Sequence, residues 1–422
     1  MNSFLKLHGL KSILSTALLC AAFLPQAQAA DGNWTPIWTA SPQPVWASDF
    51  VLPLGLPATL RDQTVRQVLR ASVGGSRVRI VLSNEYGTQP LKIGAAHIAL
   101  AGDAAGSTKG LGQTLSFGGQ ATATVPPGAP LVSDPVTMNI APLQRLAVSL
   151  YFPNTTPVTT IHWDGLQPAQ IAAGNATSAA SLKTDSVVNS RLFLSAVLVE
   201  AAPGARSVVA FGDSITDGAA STPGTDSRWP DFLARRLVGQ NVAVLNAGIS
   251  GGRVLKNHMG SNALARFERD VLGQPGVASV VLLMGINDIS WPGSSFEPTE
   301  PATQADALIA GYRQLITRAR SRGVRIVGAT LTPFEGALTM PGSPIANYYS
   351  PAKDALRQRI NQWIRGSGEF DAVLDFDAVV RDPSHPLRIL PAYDSGDHLH
   401  LGDAGNKAVA DSVDLKLLLG EH

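Results

Sequence analysis

Asp397-His398-Leu399-His400 places a carboxylate three residues before an imidazole. An Asp so placed can fold back onto Nδ1 of the later His, fixing its tautomer and stabilising the imidazolium. The other ring nitrogen can then take a proton from a serine, and the unperturbed histidine pKa suits that task near neutral pH. A serine of the right kind stands in Val208-Val209-Ala210-Phe211-Gly212-Asp213-Ser214-Ile215-Thr216, an apolar run that breaks into a turn. Two more segments offer hydrogen-bond donors. Gly248, in Asn246-Ala247-Gly248-Ile249-Ser250-Gly251-Gly252, lets the backbone approach a substrate and present its N–H. Asn287, in Met284-Gly285-Ile286-Asn287-Asp288, can turn its amide to the same spot. Each segment also has a plain structural reading. Asp213 or Ser214 can cap a helix, Gly and Asn favour strand-ending turns, and His398 reads as a structural loop residue.

Two rival chemistries use the same residues. His398 and His400 form an H-x-H pair of the kind that binds metal, but no further His or carboxylate stands at metal-ligand spacing. Gly248-Ile249-Ser250-Gly251-Gly252 fits the G-x-S-x-G nucleophile elbow, which would make Ser250 the nucleophile. That motif needs a helix directly after the serine, and two glycines start a helix poorly.

The order of elements decides how these groups can meet. After Ala201-Ala202-Pro203-Gly204-Ala205, which reads as a linker, buried-strand runs alternate with helical stretches. Strands are expected at 207–211, 242–245, 277–283, 324–330 and 372–374. Helices are expected at 229–238, 263–272, 305–322 and 352–364, with one closing helix at 404–419. Such alternation implies an α/β domain at 201–422, a parallel sheet with helices on both faces. Ligands then bind at the C-terminal strand ends, where Ser214, Gly248 and Asn287 all fall. Residues 30–200 read instead as a β-rich, sandwich-like domain. Val78-Arg79-Ile80-Val81-Leu82 and Leu146 to Phe152 look like strands, and turn signals recur at Gly118-Gly119 and Pro126-Pro127-Gly128.

Gly212-Asp213-Ser214, Gly248, Gly285-Ile286-Asn287-Asp288 and Asp397-His398-Leu399-His400 resemble the four sequence blocks of the SGNH (GDSL-like) hydrolases, in the family's order. Ile215 stands where the name-giving motif has Leu. The stretches 246–251 and 396–405 are similar to a secreted esterase branch associated with xylan breakdown, whose members also carry an N-terminal β-rich region. The resemblance implies a flavodoxin-like α/β/α fold and hydrolysis of carboxylic esters. It implies an oxyanion hole formed by the Ser214 N–H, the Gly248 N–H and the Asn287 side chain. On this reading Ser214 attacks the ester, His400 shuttles the proton, Asp397 orients His400, and no metal or organic cofactor takes part.

Composition narrows the setting. The 422 residues are 45% hydrophobic and 15% charged, which suits two packed domains and not disorder. A net charge of +1 lacks the basic surface that nucleic acid or an anionic membrane requires. Lys6 and Lys11, the apolar run from Ile13 to Pro25 and Ala27-Gln28-Ala29 read as a signal peptide over residues 1–29. Its run is too short for a stable membrane anchor, and it holds Cys20, the one cysteine of the chain. The expected location is secreted or periplasmic, with a small-molecule or polysaccharide ester as substrate and short acyl groups favoured. A broad-specificity lipase or arylesterase is the alternative. A non-catalytic carbohydrate binder is a third reading, because Trp34, Trp38, Trp46 and Trp163 could stack on sugars, although core or interface packing explains them better.

Overall fold

The C-terminal half is built on five parallel strands. In spatial order they are Val242–Gly248, Arg206–Gly212, Val277–Leu283, Arg325–Ala329 and Ala372–Leu374. Numbered along the chain this is 2-1-3-4-5, the doubly wound flavodoxin-like order, so the direction in which strands are added switches between the first and third strands. The strands are nearly continuous apolar runs because both faces are covered. Val208, Val209, Ala210 and Phe211 are all fully buried.

The flanking helices follow from pattern and caps. Ala305–Ser321 buries Leu308, Tyr312, Leu315, Ile316 and Ala319, one stripe at helical spacing. Pro351–Gly366 begins where the Ser350 side chain accepts the Lys353 N–H and Pro351 takes the first turn. Trp229–Arg236 is shorter than expected by two residues, and Ala263–Phe267 runs on into a π turn at Glu268–Leu272. The expected single closing helix is two, Asp403–Ser412 and Leu415–Leu419. The break has a local cause: Val413 is extended, and Asp414 accepts the N–H groups of Lys416 and Leu417 as a fresh N-cap.

A computed structural model describes residue 1 and residues 32–421. The expected signal peptide and Cys20 lie outside the described residues. From Asn33 onward the chain clusters as one compact unit. Its N-terminal part is antiparallel. Trp34–Thr39, Leu194–Glu200, Gly75–Ser83 and Pro130–Val132 run in order through a five-stranded sheet, with Val136–Ile140 also on Gly75–Ser83. The six-stranded sheet centres on Gln63–Arg70 and Arg145–Phe152. Alternation places Val65, Leu146, Val148 and Leu150 of one sheet and Val78, Ile80 and Leu82 of the other in one apolar core.

The two halves are tied by polar contacts along their seam. Thr39 Oγ1 donates to Asn246 O at 3.0 Å, and Gln43 Nε2 to Met259 O at 2.7 Å. Arg145 and Arg70 of the β-rich half pair with Asp226 and Asp231 of the other. Even the linker is held from both sides, because Asn33 and Asn241 each donate to Ala202 O.

Candidate active site

Ser214 is the first residue after the turn that ends Arg206–Gly212, and it opens the short helix Ser214–Asp217. Asp213 caps that helix by accepting the Ile215 N–H at 3.0 Å. Burial pushes the Asp213 carboxyl up to about 7, and its second oxygen has no partner among the described residues. The Ser214 N–H donates to no other group among the described residues, so it faces whatever lies above the strand end.

His400 comes from the loop before Asp403–Ser412 and meets Ser214, with Nε2 2.8 Å from the hydroxyl oxygen. Its Nδ1 lies 2.6 Å from Asp397 Oδ2. The carboxylate accepts from Nδ1–H, so the tautomer leaves Nε2 as acceptor for the Ser214 O–H. Asp397 Oδ1 also receives the backbone N–H groups of Leu399 and His400, which folds the loop into a tight turn. Burial opposes charge on both groups, yet their pairing wins. The hydrogen bonds and charge around Asp397 hold its carboxyl well below the usual range, and Asp397 holds His400 above the ordinary histidine value.

Asn287 lies on the helix Ile286–Ser290 after the third strand, and its orientation is fixed by three groups. Its Oδ1 accepts from Trp291 Nε1 at 3.0 Å and from Tyr348 O–H at 2.8 Å. Its Nδ2 donates one hydrogen to Gly252 O at 3.0 Å. One Nδ2 hydrogen remains for the pocket that Asn287 lines together with Ser214 and His400.

Gly248 does not fit the expected arrangement. Its N–H is donated to Asn246 Oδ1 at 2.8 Å, and it does not line the pocket. Its small size serves packing, since a Cβ there would come within 2.3 Å of the Asp217 backbone nitrogen. Gly251, from the same segment, lines the pocket together with Ser214. It sits in a turn at φ +74°, and its N–H has no other acceptor among the described residues. The sequence carried the signal for this, three glycines within five residues, but not which one the loop turns inward.

The rival residues have other partners. Ser250 Oγ lies 3.1 Å from Asp164 Oδ2 and 3.2 Å from Asp217 Oδ2, with no imidazole bonded to it. His398 turns away to Asp394, 2.5 Å from its carboxylate, and is half-exposed. No group of three or more His, Cys, Asp or Glu among the described residues could hold a metal.

Sequence reasoning missed two contributors. Arg266 is buried and bridges the carbonyls of Gly212 and Ala247, each at 2.8 Å, so it spaces the ends of the first two strands. Its i,i+4 partner Asp270 was the readable clue. The second is the β-rich half itself, which supplies Leu52, Trp163 and Asp164 to a pocket of about 410 Å³ over Ser214. Trp46 packs edge-on against Trp163, while Trp38 is buried and Trp34 lies under Arg79.

A hydroxyl, an imidazole and a carboxylate in line at the switch point of a 2-1-3-4-5 sheet define a serine-hydrolase type of site. Residues 210–408 match the family model of the GDSL-like lipase/acylhydrolase family, and the chain carries a hydrolase domain of that family, a carboxylic ester hydrolase. No curated protein matches the chain. Among solved structures, similar folds occur in an acetyl xylan esterase (23% identity, 49% of this chain, 96% of that chain, TM-score 0.35). An aryl esterase of M. smegmatis aligns at 16% identity over 49% of this chain and 96% of its own, with TM-score 0.37. A GDSL-like lipase from Bacteroides thetaiotaomicron aligns at 19% identity over 50% of this chain and 87% of its own, also with TM-score 0.37. Among the described residues no helix is long and apolar enough to cross a membrane.

Proposed function

We propose that this enzyme hydrolyses extracellular carboxylic esters through an acyl-enzyme on Ser214. The observation that carries the reading is the unbroken relay from Ser214 Oγ through His400 to Asp397, at 2.8 and 2.6 Å. His400 takes the Ser214 proton as the hydroxyl oxygen attacks the carbonyl carbon, then gives it to the departing alcohol. Water, deprotonated by the same imidazole, releases the acid. The developing oxyanion is met by the N–H groups of Ser214 and Gly251 and by the remaining Asn287 Nδ2 hydrogen. Gly251 replaces Gly248 in this role because the Gly248 N–H is already bonded. One such donor is typically worth about 10²–10³ in kcat. The extracellular setting rests on the leader-like residues 1–29 and on similarity to a secreted branch of the family. The carbohydrate-ester reading rests on that similarity alone.

Ser214→Ala is expected to abolish hydrolysis of p-nitrophenyl butanoate with the fold retained, and a fluorophosphonate label should map to Ser214. A label on Ser250, or full activity in Ser214→Ala, overturns the assignment. Because Asp397 raises the His400 pKa, the acid limb of kcat/KM should fall above the ordinary histidine value near 6.5.

A further inference from the structure

Once Ser214, His400, Gly251 and Asn287 are given to the reaction, the pocket keeps one charged side chain without a task. Asp164 follows Trp163 on the loop after Thr160–His162, so the β-rich half brings it to the catalytic groups. Its Oδ2 is 3.1 Å from Ser250 Oγ, and its Oδ1 makes no hydrogen bond among the described residues. Ser250 anchors it in place, because the Ser250 N–H and hydroxyl also reach Asp217, which His162 holds at 2.9 Å. Burial, with Asp217 nearby, pushes the Asp164 carboxyl up to about 6, so it is ionised at neutral pH and hungry for a donor.

Apart from Ser343, the rest of the pocket wall is apolar and aromatic. Trp291 and Phe296 stack at 4.6 Å and 9°, and Met259, Leu338, Ile345 and Leu399 are among the other lining residues. A space of about 410 Å³ greatly exceeds an acetyl group, which takes roughly the room of two waters, ~60 Å³. The Tyr348 hydroxyl proton is committed to Asn287 Oδ1, so it cannot be donated to a substrate group. An apolar cavity with a single open carboxylate oxygen suits a bulky apolar group that carries one donor.

We propose that the pocket takes esters bearing a bulky apolar group with a hydroxyl on it, and that Asp164 is the specificity-determining residue that accepts this hydroxyl. The inference rests on the esterase reading above and names the substrate class of the same site. The hydroxyl can belong to the acyl part, as a phenol, or to the alcohol part, as a polyol.

The test compares kcat/KM within two matched pairs. One pair is methyl 3-(4-hydroxyphenyl)propanoate and methyl 3-phenylpropanoate. The other is the butanoate monoester of cyclohexane-1,4-diol and cyclohexyl butanoate. The full chain should prefer the hydroxylated member of one pair by about 10–100-fold, the span of a hydrogen bond to a charged group. Which pair responds tells whether the hydroxyl sits on the acyl or the alcohol side. The preference should fall below about threefold in Asp164→Leu and be partly kept in Asp164→Asn, which retains an acceptor. In the wild type the preference should grow as pH rises through about 6, while Asp217, His162 and His400 are the other charged groups facing Asp164, and it should be flat in Asp164→Asn. The Asp164→Asn ratio and its flat pH response decide the matter if the Leu variant fails to fold by circular dichroism. Equal rates within both pairs, or a preference that survives both substitutions, overturn the proposal while leaving ester hydrolysis intact. A choline ester preferred over its uncharged 3,3-dimethylbutyl analogue, dependent on Asp164, makes the residue a counter-ion and also overturns it. No turnover of any ester defeats the esterase reading itself.

Discussion

The two halves of the molecule use hydrogen bonds in opposite ways. In the β-rich half, strand ladders satisfy most backbone groups and buried side chains mainly lock loops. Arg66, for example, spends its guanidinium on Ser149 and the carbonyls of Gly106, Thr177 and Ala179. In the parallel-sheet half, the turns at the strand ends leave N–H groups unspent at Ser214 and Gly251, and these face one pocket. One half spends its donors mainly on its own support; the other leaves donors open where a substrate must finish the bonding. The seam is where the difference matters, because His162, Trp163 and Asp164 cross from the supporting half to the catalytic one.

Cutting along that seam should have the largest effect. A chain beginning at Ala205 keeps Ser214, His400 and Asp397 but loses the cover over Asp217, Trp291 and Phe296. Exposed apolar surface of that kind favours aggregation. The shortened protein is expected to be insoluble or to melt well below the full chain, with no turnover of p-nitrophenyl butanoate. Equal melting and equal turnover would show that the halves are independent modules.

A single bond across the seam should matter less, though still heavily. Both ring nitrogens of His162 face acceptors, the Ser41 carbonyl at 3.1 Å and Asp217 Oδ1 at 2.9 Å, and both bonds form only when both nitrogens carry protons. His162→Leu leaves Oδ1 of the fully buried Asp217 without its side-chain donor. Leaving a buried acceptor without its donor in this way costs about 1–3 kcal/mol. The urea midpoint of the variant should drop accordingly, and an unchanged midpoint would mean that Ser250 alone satisfies Asp217.

The smallest of the three effects lies wholly inside the parallel-sheet half. Tyr348→Phe removes one of two donors to Asn287 Oδ1 and leaves the other, from Trp291, in place. About 1 kcal/mol of orientation is at stake, so kcat should fall roughly five- to tenfold with KM nearly constant. A KM change at constant kcat would instead make Tyr348 part of substrate binding.

These cases also mark how far the residues could be read without coordinates. The five parallel strands were legible because a strand buried on both faces must be apolar throughout, and the strand at 277–283 begins and ends where expected. Ser214, His400 and Asp397 were legible because their chemistry is local: a turn after a strand, and an Asp-x-x-His within one loop. The choice between Gly248 and Gly251 was not legible, since it depends on whether Asn246 claims a backbone N–H two residues away. The helix break at Val413 depended on Asp414 outcompeting continuation of the helix. Asp164 was invisible for a different reason, because nothing in the sequence near it signals a partner as distant as Ser250, 86 residues on.

Chain order gives the seam a temporal side. Asn33 and Ala202, joined by a side-chain hydrogen bond, are 169 residues apart in sequence, and Trp34–Thr39 finds its sheet partner only in Leu194–Glu200. During synthesis the opening strand must wait until that entire stretch has emerged before its ladder can close. Such long-range pairing is slow to nucleate. The strand Val242–Gly248, an edge of the parallel sheet, is made afterwards and meets Thr39 at Asn246 O. In the folded chain Trp34–Thr39 lies against that edge, so it is covered and not open to stray pairing.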